Sequence, residues 1–129
     1  KAPLIDSYSA ILKDDGAIVL DDLIYRSGSS DLGEGPFESL LALANFLKST
    51  PRASIILVGH SDTVGELSKN IELSKNRAQA VVDRLIKNYG IDQSRISAQG
   101  IGFLSPMTNN LTEKSRKKNR RVEAILIMP

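Results

Sequence analysis

The sequence of 129 residues contains no cysteine, no tryptophan and a single histidine. Without cysteine, the chain has no disulfide, no thiolate nucleophile and no cysteine-ligated zinc or iron–sulfur centre. Because the chain offers only one imidazole, a metal site built from several histidines within one chain is excluded as well. The composition therefore implies no metal, and we expect no cofactor.

Long hydrophobic runs are also absent. Short runs such as Ile55–Val58 and Ala124–Ile127 do not approach the about 20 residues that a membrane-spanning helix needs. No charged start followed by an apolar signal segment is visible. Because the chain begins at Lys1 rather than at methionine, we expect a processed protein or an excised fragment whose targeting signal is lost from view.

Charges of the two signs nearly balance. Lysine and arginine number 17 against 15 aspartates and glutamates, and the net charge of +2 is too small to imply a nucleic-acid partner. Hydrophobic residues make up 41% and charged residues 25%, as in ordinary globular proteins. At this length we expect one folded domain.

Four segments have the apolar patterns of strands. The β-branched and leucine run over 54–58 predicts a central buried strand, and 17–25 predicts a first strand, broken near its two aspartates. Alternation over 95–102 and apolar residues over 121–128 predict two more strands. Between them, residues 103–118 have the composition of a long polar connection.

Two segments have helical periodicity. The first lies between Pro36 and Pro51, and the second ends near Asn88, before a left-handed position suited to Gly90. Candidate N-caps of the second helix are Ser68, Asn70 and Ser74. The order β-α-β-α-β-β predicts an α+β fold (an α/β sandwich), with one mixed sheet and helices packed on it.

The loop after the predicted central strand carries an acid close to polar residues of the second helix. Asp62 follows the carboxyl end of that strand, where α/β sheets commonly place ligand loops. Asn70 and Arg77 are seven residues apart, so two helical turns place them on one face. A carboxylate, an amide and a guanidinium in one cleft match a zwitterionic ligand. The alternative is an ordinary ion pair between Asp62 and Arg77 that fixes the loop.

Motifs around these residues add a family resemblance. They are Gly59-His60-Ser61-Asp62, Gly65, Asn70, Leu73-Ser74-x-x-Arg77-Ala78, Gly100-x-Gly102, Pro106 and Asn119-Arg120-Arg121-Val122-Glu123. In this order and spacing they resemble the OmpA-like peptidoglycan-binding domain over residues 18–127. Upstream, Tyr25 and Gly28 are similar to positions in the family's first strand and following loop. The resemblance implies a domain over 17–129, preceded by an N-terminal extension or linker over 1–16.

The resemblance implies a non-catalytic protein that binds peptidoglycan through the diaminopimelate residue of the stem peptide. By position, Asp62 meets the ammonium group of this ligand and Arg77 meets its carboxylate. The other positions carried over to the same pocket are Asn70, Thr63, Gly28 and Arg120. A periplasmic location at the outer membrane or cell wall follows, with the domain tethered to a membrane-anchored part or partner outside this chain. The nature of that part and the oligomeric state stay open.

A basic run offers a second interpretation. Six of the eight residues over 114–121 are lysine or arginine, which would suit a protein- or nucleic-acid-interaction module. Phe103 is the only aromatic residue after Tyr89, so the stacking platform of single-strand binders is missing nearby. A solvated basic loop is the simpler interpretation, and we expect no nucleic-acid partner.

Two other motifs do not predict chemistry. His60, Ser61 and Asp62 are triad residue types, but neighbouring side chains of an extended segment point to opposite sides, so we expect no relay and no enzyme. Gly100 and Gly102 do not open a helix, which argues against a dinucleotide site. They indicate a strand end whose backbone passes close to another element.

Overall fold

Within residues 5–129, which this computed structural model describes, four helices alternate with four strands. In chain order they are α1 (Ile5–Asp15), β1 (Ala17–Val19), α2 (Glu38–Ser49), β2 (Ser54–Gly59), α3 (Leu67–Tyr89), β3 (Ile96–Gly100), α4 (Glu113–Asn119) and β4 (Val122–Ile127). A short 3-10 turn over Gln93–Arg95 precedes β3. The α+β class is confirmed, with two helices, α1 and α4, in addition to those predicted.

The strands form one mixed sheet in the order β1–β4–β2–β3. β2 and β3 run parallel, whereas β4 is antiparallel to both β1 and β2. Along β2, Ile55, Leu57 and Gly59 are buried, and the residues between them are half-buried. Because β2 has a hydrogen-bonded neighbour on each side, the loop that follows it starts from the interior of the sheet.

The two predicted helices are present and pack apolar faces on the core. α2 buries Leu40, Leu43 and Leu47 at helical spacing. α3 ends as predicted, because Gly90 adopts a left-handed φ of 68° and its N–H donates to the carbonyl of Ile86.

The start of α3 differs from the prediction. The helix begins at Leu67 after Glu66, whose side chain makes no capping bond, so the three candidate caps lie inside it. Asn70 instead donates to the carbonyls of Val64 and Glu66, and the Ser74 hydroxyl accepts a bond from the loop after β3. These polar side chains stabilise loops around the helix rather than its first turn.

Helix α1 lies in the segment interpreted as an extension or linker. Tyr8 and Leu12, four residues apart, are 1% and 0% exposed, and α1 packs on α2 and β1. So few buried positions leave no clear period in the sequence, which is why the helix escaped prediction. Residues 1–4 lie outside the described part of the chain, and the domain boundary at residue 17 stays a prediction.

The first strand is shorter than predicted, because β1 covers only Ala17–Val19 of the expected 17–25. Asp21 and Asp22 form a turn that ends it. The Asp22 Oδ2 atom then accepts a bond of 2.9 Å from the N–H of Ser39, near the start of α2. Phe37, the residue before α2, has no side-chain acceptor for the free N–H groups of the first helical turn. Asp22 supplies one of these acceptors from a distant part of the chain.

The predicted polar connection over 103–118 was wrong in its second half, which forms α4. Thr112 caps this helix, since its Oγ1 atom accepts a bond of 3.1 Å from the N–H of Ser115. α4 has almost no apolar residue of its own, so hydrophobic periodicity could not reveal it. Its last residue, Asn119, is fully buried and bonds to the backbone N–H groups of Met107 and Thr108.

Candidate ligand-binding site

The loop after β2 places Asp62 inside the protein. The N–H groups of His60 and Ser61 bond to the carbonyls of Arg121 and Gly102, so the loop leaves the sheet in a fixed direction. Asp62 is only 3% exposed. Its Oδ1 atom accepts a bond of 3.0 Å from the N–H of Val64. The aspartate therefore holds its own loop as well as facing its neighbours.

Asp62 pairs with Arg120, the residue that follows α4. Arg120 Nη1 lies 2.9 Å from Asp62 Oδ2, and both side chains are buried. The same guanidinium donates to both carboxylate oxygens of Glu113, the first residue of α4, and its Nε donates to the Tyr25 carbonyl at 2.8 Å. The hydrogen bonds that Arg120 donates to Glu113 raise the pKa of Arg120 above its ordinary value. Two carboxylates thus share one guanidinium.

Arg77 on α3 has a different environment. Its side chain is fully buried, and its guanidinium stacks 5.0 Å from the centre of the Tyr25 ring. Nε donates to the Ser29 carbonyl at 2.7 Å, Nη1 to that of His60 at 3.0 Å and Nη2 to that of Arg26 at 3.0 Å. Among the described residues, no carboxylate forms an ion pair with it. Burial lowers the pKa of Arg77 to about 10, so it stays charged at neutral pH.

The alternative interpretation, a direct ion pair between Asp62 and Arg77, is therefore wrong, because Asp62 binds Arg120 instead. The two residues still lie near each other, since the Asp62 charge raises the pKa of Arg77 against the effect of burial. Asn70 and Arg77 share the buried face of α3, as their spacing predicted. The structure thus brings Asp62, Arg77 and Arg120 together around the start of the loop that follows Tyr25.

The remaining predicted residues lie around this centre. Asn70 shapes the loop after Asp62 through its two bonds to carbonyls and does not touch Asp62 itself. Thr63 is exposed, and its N–H donates to Asn110 Oδ1 at 3.2 Å. Gly28 is exposed, with a φ of 74°, in the loop whose carbonyls hold Arg77.

Two participants escaped sequence reasoning. Glu113 stands seven residues before Arg120, two helical turns, and that spacing would have signalled the pair had α4 been recognised. The carbonyls of Arg26 and Ser29 carry no sequence signal, because every residue has one.

The triad residue types make no relay, as predicted. His60 Nε2 lies 3.3 Å from Glu123 Oε2. The Ser61 hydroxyl donates to the carbonyl of Asp62 at 2.9 Å. Burial, with the charge of Arg121, lowers the pKa of His60 to about 4 despite the nearby Glu123. The imidazole is therefore neutral at pH 7 and is a buried part of the packed interior.

The basic run over 114–121 divides into two groups. Its three arginines make bonds within the protein, among them bonds to the carboxylates of Glu113 and Glu123. Its three lysines are exposed on one face of α4: Lys114, Lys117 and Lys118. They border a cleft of about 420 Å³ whose apolar lining includes Ile24 and Met107.

The described part of the chain lacks both a cluster of metal-ligating side chains and a membrane-spanning helix. No cluster of three or more histidine, aspartate or glutamate side chains there is arranged to hold a metal ion. None of the helices there combines the length and the apolar character needed to cross a bilayer.

Comparison with known proteins identifies relatives. The model of the OmpA family matches residues 24–120. Outer membrane porin F of Pseudomonas aeruginosa is 38% identical over 103 residues, 80% of this chain and 29% of that protein. Peptidoglycan-binding protein ArfA of Mycobacterium tuberculosis is 32% identical over 124 residues, 96% of this chain and 36% of that protein. The crystal structure of the peptidoglycan-associated lipoprotein from Burkholderia pseudomallei has a TM-score of 0.71 and 25% identity, covering 81% of this chain and 88% of that one.

This chain spans about a third of the length of those two curated relatives, so they contain further parts that it does not match. The family match, by contrast, covers most of the chain and includes Asp62, Arg77 and Arg120. The chain belongs to the OmpA family.

Proposed function

We propose that this chain anchors an envelope protein to the cell wall by binding the diaminopimelate residue of peptidoglycan without catalysis. The names of a peptidoglycan-binding relative and a peptidoglycan-associated structural neighbour support wall binding. An outer-membrane relative and a lipoprotein neighbour support a place in the envelope. The diaminopimelate ligand itself is what the family resemblance implies, and the charges of the site suit such a zwitterion.

The observation that carries the proposal is the environment of Arg77. A buried cation is costly unless a counter-charge compensates it, yet this guanidinium has only carbonyl acceptors and an aromatic face among the described residues. A carboxylate adds the attraction of opposite charges to the hydrogen bonds of a guanidinium and accepts two of them side by side, which a neutral carbonyl does not. Arg77 is therefore poised to gain from an incoming carboxylate.

The neighbouring charges suit the other end of the ligand. Asp62 and Glu113 together carry two negative charges against the single guanidinium of Arg120, which leaves this group with an excess negative charge. Each Asp62 oxygen accepts one bond from the protein, so lone pairs remain for an ammonium group. A cationic and an anionic centre side by side match the free end of diaminopimelate, which carries both an ammonium and a carboxylate.

The expected affinity is modest for one stem peptide and high for the wall. Charged hydrogen bonds contribute about 1.5–3 kcal/mol each, so two or three support only weak binding of a monomer. A polymer offers many equivalent sites, and a tether raises their effective concentration. An anchor needs no more than this.

The test varies the ligand and leaves the protein intact. Three stem pentapeptides are titrated into the protein by calorimetry, with diaminopimelate, lysine or 2-aminopimelate at the third position. Lysine lacks the distal carboxylate, and 2-aminopimelate lacks the distal ammonium. We expect each to bind about tenfold or more weakly than the diaminopimelate peptide, the loss of one charged contact. If the lysine peptide binds as tightly as the diaminopimelate peptide, Arg77 does not bind the ligand. If the aminopimelate peptide binds as tightly, Asp62 does not bind it.

Co-sedimentation with insoluble diaminopimelate-type peptidoglycan tests anchoring itself. Arg77→Met is compared with Lys87→Met, an exposed lysine of the same helix with no hydrogen bond within the described protein. We expect wild type and the Lys87 variant to sediment and the Arg77 variant to stay in solution. Circular dichroism tests whether the Arg77 variant is folded. If it is unfolded, the titration of the three pentapeptides into the wild-type protein decides whether Arg77 binds the ligand carboxylate.

A second candidate function rests on the lysine face of α4. Lys114, Lys117 and Lys118 form no ion pair with the described residues and border a cleft with an apolar lining. This arrangement suits an acidic segment of a partner protein better than a nucleic acid, because aromatic stacking residues are missing. The two functions depend on different residues, so substitutions in each set distinguish them.

A further inference from the structure

The candidate site is closed in this structure. Arg77 has no exposed surface, and Asp62 and Arg120 are 3% and 4% exposed. The cover over Arg77 is the loop of residues 26–34, because the carbonyls of Arg26 and Ser29 occupy two nitrogens of the guanidinium. Because Arg77 is fully buried, a ligand carboxylate reaches its guanidinium only after this loop moves and its carbonyls give way.

A second arginine of the same helix holds the other end of the 26–34 loop. Arg84 lies seven residues after Arg77, two helical turns along α3. Its Nη1 donates to the Glu34 carbonyl at 2.9 Å, and its Nη2 donates to the Gly33 carbonyl. The guanidinium also lies 6.0 Å from the centre of the Phe37 ring. No backbone donor of the loop contributes to either attachment, so two side chains of α3 hold the loop by its carbonyls.

Between the two attachments, Leu32 packs against the core and two glycines give the loop its turns. Gly28 and Gly33 have left-handed φ angles of 74° and 82°, and a Cβ atom added to either would meet nothing within 4 Å. These glycines therefore serve backbone conformation rather than close packing. The N–H of Asp31 bonds to Ser29 Oγ, and that of Gly33 bonds to Asp31 Oδ1, so residues 29–33 form a local turn.

We propose that Arg84 is a positioning residue of the ligand site, since it holds the 26–34 loop over Arg77. The inference rests on the proposed function, because the ligand carboxylate is what replaces the carbonyls of Arg26 and Ser29. The exchange is favourable at Arg77, since a charged acceptor takes the place of two neutral ones. Arg84 controls how readily the loop moves away from Arg77, because its two bonds hold the end of the loop that Arg77 does not contact.

The test compares Arg84→Met with Lys87→Met as the matched control. Methionine keeps an unbranched apolar side chain beside Phe37 and removes the two bonds to the loop. In the protein without ligand, hydrogen exchange is measured at the amides of Ser29, Asp31 and Gly33. We expect exchange at these amides to be about fivefold or more faster in the Arg84 variant and unchanged in the control, as the loss of two exposed hydrogen bonds implies.

The second measurement is the association rate of the diaminopimelate pentapeptide by stopped-flow. We expect an increase of about fivefold in the Arg84 variant, because the loop opens more readily, and an intermediate value in Arg84→Lys, which can restore one bond. Unchanged exchange in the Arg84 variant would overturn the proposal. So would faster exchange with an unchanged or slower association rate. If the wild type binds no pentapeptide, the proposed function fails, whereas the exchange data still decide whether Arg84 holds the loop.

Discussion

Arg120 Nη1 lies 2.9 Å from Asp62 Oδ2, although 58 residues separate the two in the chain. The pair joins the loop after β2 to the end of α4, and both side chains are buried. Because Glu113 binds the same guanidinium, Arg120 keeps a partner if Asp62 is removed, whereas Asp62 has no other cationic partner among the described residues. Asp62 is thus part of the framework as well as of the candidate site.

The Asp62–Arg120 pair predicts a stability loss on substitution. We expect Asp62→Asn to lower the free energy of unfolding by about 3 kcal/mol, the low end for breaking a buried pair, because Glu113 still compensates Arg120. Glu113→Gln removes an exposed carboxylate and should cost far less. Urea unfolding of the two variants beside wild type measures both. Equal losses would show that the buried position of Asp62 does not matter.

Acid stability depends on His60. Its pKa is about 4 in the folded protein against an ordinary value of 6.5, so the unfolded chain binds a proton that the folded protein refuses between these values. The contribution of His60 to the free energy of unfolding is therefore complete above pH 6.5 and is lost as the pH decreases toward 4. We expect this one group to remove about 3 kcal/mol over that window.

His60→Gln isolates the effect, because glutamine keeps a donor for Glu123 and does not titrate. Unfolding free energies of wild type and variant are measured at several pH values across the window. The free energy of unfolding of wild type, relative to that of the variant, should decrease by about 3 kcal/mol as the pH falls from 6.5 toward 4. Parallel curves would contradict the assignment.

Gly59 makes the closest approach between the sheet and α3. A Cβ atom built there lies 1.7 Å from the Ser74 carbonyl oxygen, and one built on Gly100 lies 2.2 Å from the Lys75 nitrogen. Helix backbone cannot move aside as a side chain can, so we expect Gly59→Ala to cost about 3 kcal/mol or more. Gly90→Ala, which meets open space but keeps a left-handed φ of 68°, should cost about 1–2 kcal/mol. Thermal unfolding of the two variants tests the order, and a larger loss at Gly90 would contradict it.

Lysine substitutions test whether the α4 face, rather than the site at Arg77, binds the cell wall. We compare a variant with glutamine at all three lysines of the α4 face, Lys114, Lys117 and Lys118, with a control that has glutamine at Lys69, Lys75 and Lys87 of α3. Both lose the same charge, so long-range attraction to anionic polymer weakens equally. At physiological salt we expect both to sediment with peptidoglycan like wild type. Loss of sedimentation in the α4 variant alone would identify its lysine face as the binding element.

Much of the fold follows from local patterns. The helical spacing of apolar residues such as Leu40, Ala44 and Leu47 predicted α2, and the β-branched run over 54–58 predicted β2. The glycine pair after residue 99 indicated a close backbone approach, and Gly100 does pass against α3 at Lys75. Patterns of this kind depend on neighbours in sequence, so one sequence suffices to recognise them.

Elements without an apolar pattern escaped prediction. α4 consists almost entirely of polar residues, and it exists because Thr112 caps its start and Asn119 bonds to the loop before it. β1 ends early because Asp22 turns away to bond the N–H of Ser39 on α2. In both cases a contact with a distant segment overrides or replaces the local signal.

The sequence by itself determined the family, the α+β class and the position of the polar loop after β2, because the order and spacing of motifs are carried by neighbouring residues. Only the tertiary structure decided the partners of the charged groups. The closeness of Asp62 and Arg77 in the chain pointed to an ion pair between them. In the structure, Asp62 pairs with Arg120, and Arg77 bonds to the backbone of the 26–34 loop. Carbonyl acceptors are present at every residue, and ion pairing depends on which distant segments the sheet brings together.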